Sequence, residues 1–214
     1  MAGDPSESSE PIEEHEIYAL PASPFHEDGL AEVIFQRRSV RSFAEESPAL
    51  EVIADVLWAS VGITVDGVSG ATRAAPSAGA TNPLVVYLVV NDLDALEAGV
   101  YRYRPDSHEL THTKAGSVGE ALAGASLGQA ALKKAPAVVV LAADYSRTTD
   151  RYGERGYRYV HMEAGHAAQN VSLMLEARGL GGVVIGAFTD DRVQSVLAVQ
   201  NHVPLLLLPF GYEL

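Results

Sequence analysis

The chain has 214 residues, 47% of them hydrophobic and 20% charged, with a formal net charge of -13 and no cysteine. Disulfides, thiolate nucleophiles and cysteine metal clusters are therefore excluded, and the negative charge disfavours binding to nucleic acid or to an anionic membrane unless a local basic patch dominates. The longest apolar runs, residues 135–143 and 205–210, are far shorter than the roughly 20 residues of a bilayer span and read as buried strands.

Residues 1–26 are rich in Pro, Ser and Glu, which predicts a loose acidic leader, with a single domain over residues 27–214. No basic stretch followed by an apolar core marks a secretory signal, so a cytoplasmic location is expected. From Gly29, the residues Leu30, Val33, Ile34 and Arg37 follow a helical period, and after Ser47-Pro48 so do Leu50, Ile53, Ala54, Leu57 and Trp58. Both segments predict core helices. Residues 62–83, punctuated by Gly62, Gly67, Gly70, Pro76 and Gly79, read as one long loop of the kind that carries function. Residues 83–90 predict a strand buried on both faces, and residues 99–104 a half-exposed strand pairing with it as a hairpin. A small-residue helix is expected over 119–134, then a buried strand over 137–142 opened by Pro136. A charged segment, 144–159, precedes a long helix from about Glu163 to Ala177, ended by Gly179. Strands over 183–188 and 205–208 flank a short helix at 190–197. The result is an α+β chain with helices packed on core strands.

Four local patterns bear on chemistry. His108-Glu109-Leu110-Thr111-His112 matches the zinc-peptidase signature, but that motif works only on a helix, where the two histidines share a face. Here it lies in a turn and strand, where the imidazoles would stand roughly 13 Å apart, too far for one zinc. Gly179-Leu180-Gly181-Gly182 comes after a helix and before a strand, the reverse of a dinucleotide loop, and reads as a helix cap. His161 and His166 do not face the same way on a helix, so no metal is expected there. Arg37-Arg38-Ser39-Val40-Arg41-Ser42-Phe43 is different: it gathers three guanidiniums and two hydroxyls in an acidic chain, a set suited to a phosphate. Taken alone, it could equally be a solvated helix end.

The basic segment, then Ala75-Pro76-Ser77-Ala78-Gly79-Ala80 before a buried strand, then residues 152–159, then Glu163-Ala164-Gly165-His166-Ala167-Ala168-Gln169-Asn170, all in this order, resemble the nitroreductase superfamily. More narrowly they resemble its SagB/ThcOx-type branch. The resemblance spans residues from about 30 to 211 and implies a central, mostly antiparallel sheet flanked by helices, with FMN at a homodimer interface. It implies that Arg37, Arg38, Ser39 and Arg41 bind the FMN phosphate and ribityl chain. Pro76, Ser77, Ala78 and Gly79 match the loop reaching the flavin from the other subunit, Glu163, Ala164 and Gly165 the stretch near its N5 edge, and Gly182 and Gly186 the segment beside the phosphate end. The implied activity is a ping-pong transfer of hydride and electrons through flavin N5, from NAD(P)H to a nitro- or quinone-type acceptor. The alternatives are a SagB-like dehydrogenase or oxidase acting on a small or peptide-derived substrate, and a flavin-binding module without catalysis. Two departures stand out. The C-terminal segment, Pro209-Phe210-Gly211-Tyr212-Glu213-Leu214, lacks the Lys or Arg that many relatives carry, and the branch's catalytic Lys-Tyr pair is matched by Arg151-Tyr152. Arg151 and Tyr152 are the catalytic candidates, although an arginine is a poor general base.

Overall fold

The computed structural model describes residues 29–67 and 70–214, so the leader expected over residues 1–26 lies outside the described residues. Its helices are α1 (Gly29–Gln36), α2 (Leu50–Val61), α3 (Gly119–Ala125), α4 (Ala131–Lys134), α5 (Ser146–Tyr152), α6 (Arg155–Ala177) and α7 (Asp190–Leu197). Its strands are β1 (Ile63–Gly67), β2 (Gly70–Arg73), β3 (Leu84–Val90), β4 (Gly99–Arg104), β5 (Glu109–Ala115), β6 (Ala137–Ala143), β7 (Gly181–Gly182) and β8 (Val203–Gly211).

The two continuous apolar runs become the middle of a six-stranded sheet ordered β5-β4-β3-β6-β8-β7, in which every pairing is antiparallel. All seven residues of β3 and all seven of β6 are buried, because helices cover both faces and leave no polar side for the strands to alternate with. On one face Val86, Leu88, Val139 and Leu141 pack toward α2 and α6, beside Ile53, Leu57 and Val171. Val85, Val89, Val138 and Val140 point the other way and meet Leu122, Leu132, Val193 and Leu197 from α3, α4 and α7.

Several elements depart from expectation, each for a physical reason. Helix α1 contributes no fully buried residue: Leu30, Ile34 and Phe35 are exposed, so it is not a core helix. Part of the predicted loop is the hairpin β1-β2, paired from Ile63↔Arg73 to Gly67↔Gly70. The helix over 119–134 is broken where Leu127 and Gly128 turn left-handed, at φ 56° and 74°, and the Gly128 N–H caps the carbonyl of Ala123. Helix α6 starts eight residues early because its first turns bury only a thin stripe, Gly156, Val160 and Ala164, which hides among charged residues on the outer face. Gly156 is small for cause, since a Cβ there would come within 2.9 Å of the Thr149 backbone on α5. Residues 183–188 form no continuous strand: past β7 only Ile185 bridges to Leu207, leaving Val184 and Gly186 outside the ladder.

Candidate functional site

The basic segment after α1 runs extended along the edge made by β7 and the chain's last residues. Ser39 bridges to Gly182 and Phe43 to Glu213, while the N–H of Val40 donates to Gly182 O at 2.9 Å and that of Ala44 to Tyr212 O at 2.9 Å. Val40 and Phe43 are buried as anchors, while Ser39 before them and Arg41 and Ser42 between them are exposed. The close approach needs a glycine, because a Cβ at Gly181 would stand 2.6 Å from the Val40 side chain. Arg38 pairs with Glu213. Arg37 and Arg41 have no ion-pair partner among the described residues, so two guanidiniums remain uncompensated beside Gly182.

A groove of about 440 Å³ has a lining that includes Ala164 and Gly165 of α6, Gly186, Phe188 and Leu206. A Cβ on Gly165 would meet nothing within 4 Å, and one on Gly186 only Leu206, so neither floor position crowds a flat occupant. Paired hydrogen bonds between Ile185 and Leu207, at 2.8 and 2.9 Å, fix Gly186. Gln129 steadies the next residue by donating from Nε2 to Ala187 O at 3.1 Å. Tyr145 and His161 form one wall, joined by a 2.6 Å hydrogen bond between the phenol and Nε2. Burial, with Asp190 and Tyr157 nearby, raises the Tyr145 pKa, which keeps its hydroxyl protonated.

None of the loop residues 76–82 lines that groove. Gly79, Ala80 and Asn82 all adopt positive φ, at 57°, 55° and 45°, a conformation that side chains resist. Helix α5 holds it there. Arg151 donates to Gly79 O at 3.0 Å, Thr148 bonds Thr81 at 2.8 Å, and Arg147 donates to Asn82 O at 3.0 Å. Within the loop, Ser77 Oγ accepts from the N–H of Asn82 at 2.9 Å. Arg151 also lies over the Tyr152 ring, 5.3 Å from its centroid, and Tyr152 meets Tyr159 edge-on at 5.1 Å. Arg151 is thereby committed to holding the loop, whereas the Tyr152 hydroxyl points at Gly79, where an added Cβ would strike it.

Glu163 parts from its neighbours in the sequence. Its side chain is 5% exposed and hydrogen-bonds Ser77 instead of facing the groove beside Gly165. Burial pushes its carboxyl up to about 7, against the lowering effect of Ser77. The expected residues thus fall in three places. Arg37, Arg38, Ser39 and Arg41 run along the edge at Gly182, Ala164, Gly165 and Gly186 line the groove, and Pro76, Ser77, Ala78, Gly79, Arg151, Tyr152 and Glu163 gather around the loop. Gln129 and Tyr145 were missed in the sequence and His161 was weighed there only as a metal ligand; only their types, without any spacing, could have suggested them. The histidines of the zinc-like motif are engaged elsewhere: His108 Nδ1 with the Tyr103 hydroxyl at 2.7 Å, and His112 stacked on Tyr101 at 4.4 Å. Among the described residues no group of three or more potential ligands could hold a metal, and no helix is long and apolar enough to cross a membrane.

The model of the Nitroreductase family matches residues 34–212. The nitroreductase-family protein MJ1384 of Methanocaldococcus jannaschii is 43% identical over 185 residues, covering 86% of this chain and 91% of that protein. A crystal structure of a nitroreductase-type protein from Anabaena variabilis superposes with a TM-score of 0.74 at 27% identity, covering 86% of this chain and 38% of that one. Another, from Desulfovibrio desulfuricans in complex with FMN, has a TM-score of 0.64 at 19% identity, with 87% of each chain covered.

Proposed function

Because this chain belongs to the nitroreductase family of oxidoreductases, we propose that it binds FMN between two copies of itself and carries electrons from NAD(P)H to a nitro- or quinone-type acceptor in a ping-pong cycle. Two observations support this reading together: the guanidiniums of Arg37 and Arg41, on a segment bridged to Gly182 and without an ion-pair partner among the described residues, and a groove lined by Gly165 and Gly186. A phosphate dianion suits the first feature and a flat ring the second, so the residues present fit the group.

When bound, FMN supplies a carrier that takes up and releases two electrons. The chain's own residues bind, orient and manage protons. Arg37 and Arg41 neutralise the phosphate by charge-assisted hydrogen bonds, with the Ser39 hydroxyl beside them. Arg38, shared with Glu213, contributes less charge, and no C-terminal cation assists. Ala164, Gly165 and Gly186 give close access to the ring. Pro76, Ser77, Ala78 and Gly79 do not line the groove that holds Gly165 and Gly186. A second copy supplying Pro76, Ser77, Ala78 and Gly79 completes each site, which makes the active species a homodimer. Tyr152 holds the proton that accompanies electron transfer, and Arg151 positions the loop. The acidic chain works in the cytoplasm on small molecules, without nucleic acid or membrane.

The test is the visible spectrum of the purified protein before and after anaerobic NADPH. Flavin bands that bleach on addition, together with a dimer mass in solution, are expected. A colourless protein that takes up no added FMN refutes the proposal.

A further inference from the structure

The central sheet is split. Strand β6 runs beside β3 along its whole length, from Leu84 to Val90, but β4 pairs with β3 only from Tyr87 to Val90. Beyond Arg102, β4 continues to Arg104 with β5 alone as partner. A cavity of about 350 Å³ opens in the gap, floored by Leu84, Val86 and Tyr103, a volume within the range of small-molecule sites.

Its charge is the reverse of the rest of the molecule. Among the described residues Arg73, Arg102, Arg104 and Arg147 line it, against only Asp106 and Glu163. Four of the chain's twelve arginines thus converge in one cavity of a protein with net charge -13. Both opposing carboxyls are restrained: Asp106 is taken up by Arg73 at 2.8 Å, and the raised pKa of Glu163 leaves it partly protonated near neutrality. Arg147 is aimed by Asp144 at 3.3 Å and by Asn82 O at 3.0 Å. Arg102 and Arg104 have no ion-pair partner among the described residues.

We propose that this gap in the sheet binds the anionic end of a small organic ligand, a carboxylate or a phosphate ester. Uncompensated guanidiniums over an apolar floor recognise such a group through charge-assisted, often bidentate hydrogen bonds. Glu163 reaches from the cavity to Ser77, so a bound ligand lies next to the loop assigned to the flavin. Its identity as a substrate rests on the flavin proposal, whereas anion binding does not.

The experiment is calorimetric titration of the purified protein, saturated with FMN, using inorganic phosphate, succinate, NAD⁺ and NADP⁺ as probes. At least one probe binds saturably. Arg102→Gln and the more exposed Arg104→Gln each weaken it about tenfold or more, with thermal melting and flavin absorbance unchanged, while Arg37→Gln leaves it intact. Succinate binding identifies a carboxylate ligand, and preference for NADP⁺ over NAD⁺ identifies a phosphate ester. No saturable binding by any probe, or binding lost in Arg37→Gln and kept in both cavity variants, overturns the proposal. A protein that takes up no FMN yet binds a probe through Arg102 sinks the flavin reading alone.

Discussion

Replacing Glu163 with Gln removes a buried ionisable group while keeping its shape and its reach to Ser77. Burial pushes the native carboxyl from 4.5 up to about 7, so between those values the folded chain holds a proton that the unfolded chain has released. Stability from this group is therefore fully present below about pH 4.5 and is lost as pH rises through about 7. At about 1.4 kcal/mol per pH unit, the loss comes to about 3 kcal/mol. Glu163→Gln escapes it, and should exceed the wild type by about 3 kcal/mol at pH 8.5 and by under about 1 kcal/mol at pH 5. Urea unfolding at both pH values measures this, at fixed protein concentration so that any self-association contributes equally. Any pH-independent change in the Ser77 hydrogen bond cancels in the comparison. A stability difference that is the same at both pH values would show that the carboxyl titrates as an ordinary exposed acid, and the reasoning from burial would fail.

Gly181→Ala drives a methyl into Val40 and should lift the basic segment, costing about 1–3 kcal/mol and weakening FMN about tenfold, as read by quenching of flavin fluorescence; unaltered affinity would detach residues 37–41 from the cofactor. Leu141→Ala, at a fully buried site in β6, should destabilise by about 2–5 kcal/mol in the same unfolding assay, and a loss under about 1 kcal/mol would contradict a close-packed sheet centre. Tyr152→Phe should lower turnover about a hundredfold with FMN affinity unchanged. Steady-state kinetics at wild-type rate would remove the hydroxyl from the reaction.

Much of the architecture was readable because the strongest signals coincide with the most buried elements. Strands β3 and β6 are short continuous apolar runs rich in β-branched Val and opened by Pro83 and Pro136, the pattern of a strand buried on both faces. The basic cluster was legible as chemistry, and its partner Gly182 through family resemblance, although three arginines do not reveal that one is tied to Glu213. The early turns of α6 were hidden because Gly156, Val160 and Ala164 form a stripe too small to register as hydrophobic periodicity. The separation of Glu163 from Gly165 follows from helical geometry: residues two apart point to nearly opposite sides, so adjacency in sequence misled. The cavity in the sheet had no local signature at all, since its arginines come from β2, β4 and α5 and meet only where two strands part.

The left-handed backbone at Gly79, Ala80 and Asn82 has a further consequence. At the non-glycine positions Ala80 and Asn82 such strain, of order 1–3 kcal/mol each, persists only where the surroundings enforce it, and here the enforcement comes from three side chains of one short helix, Arg147, Thr148 and Arg151. The loop's shape is therefore set within its own subunit, before any second copy or cofactor arrives. A surface moulded in advance has little disorder left to surrender on contact, so association can retain binding energy that a slack loop would dissipate.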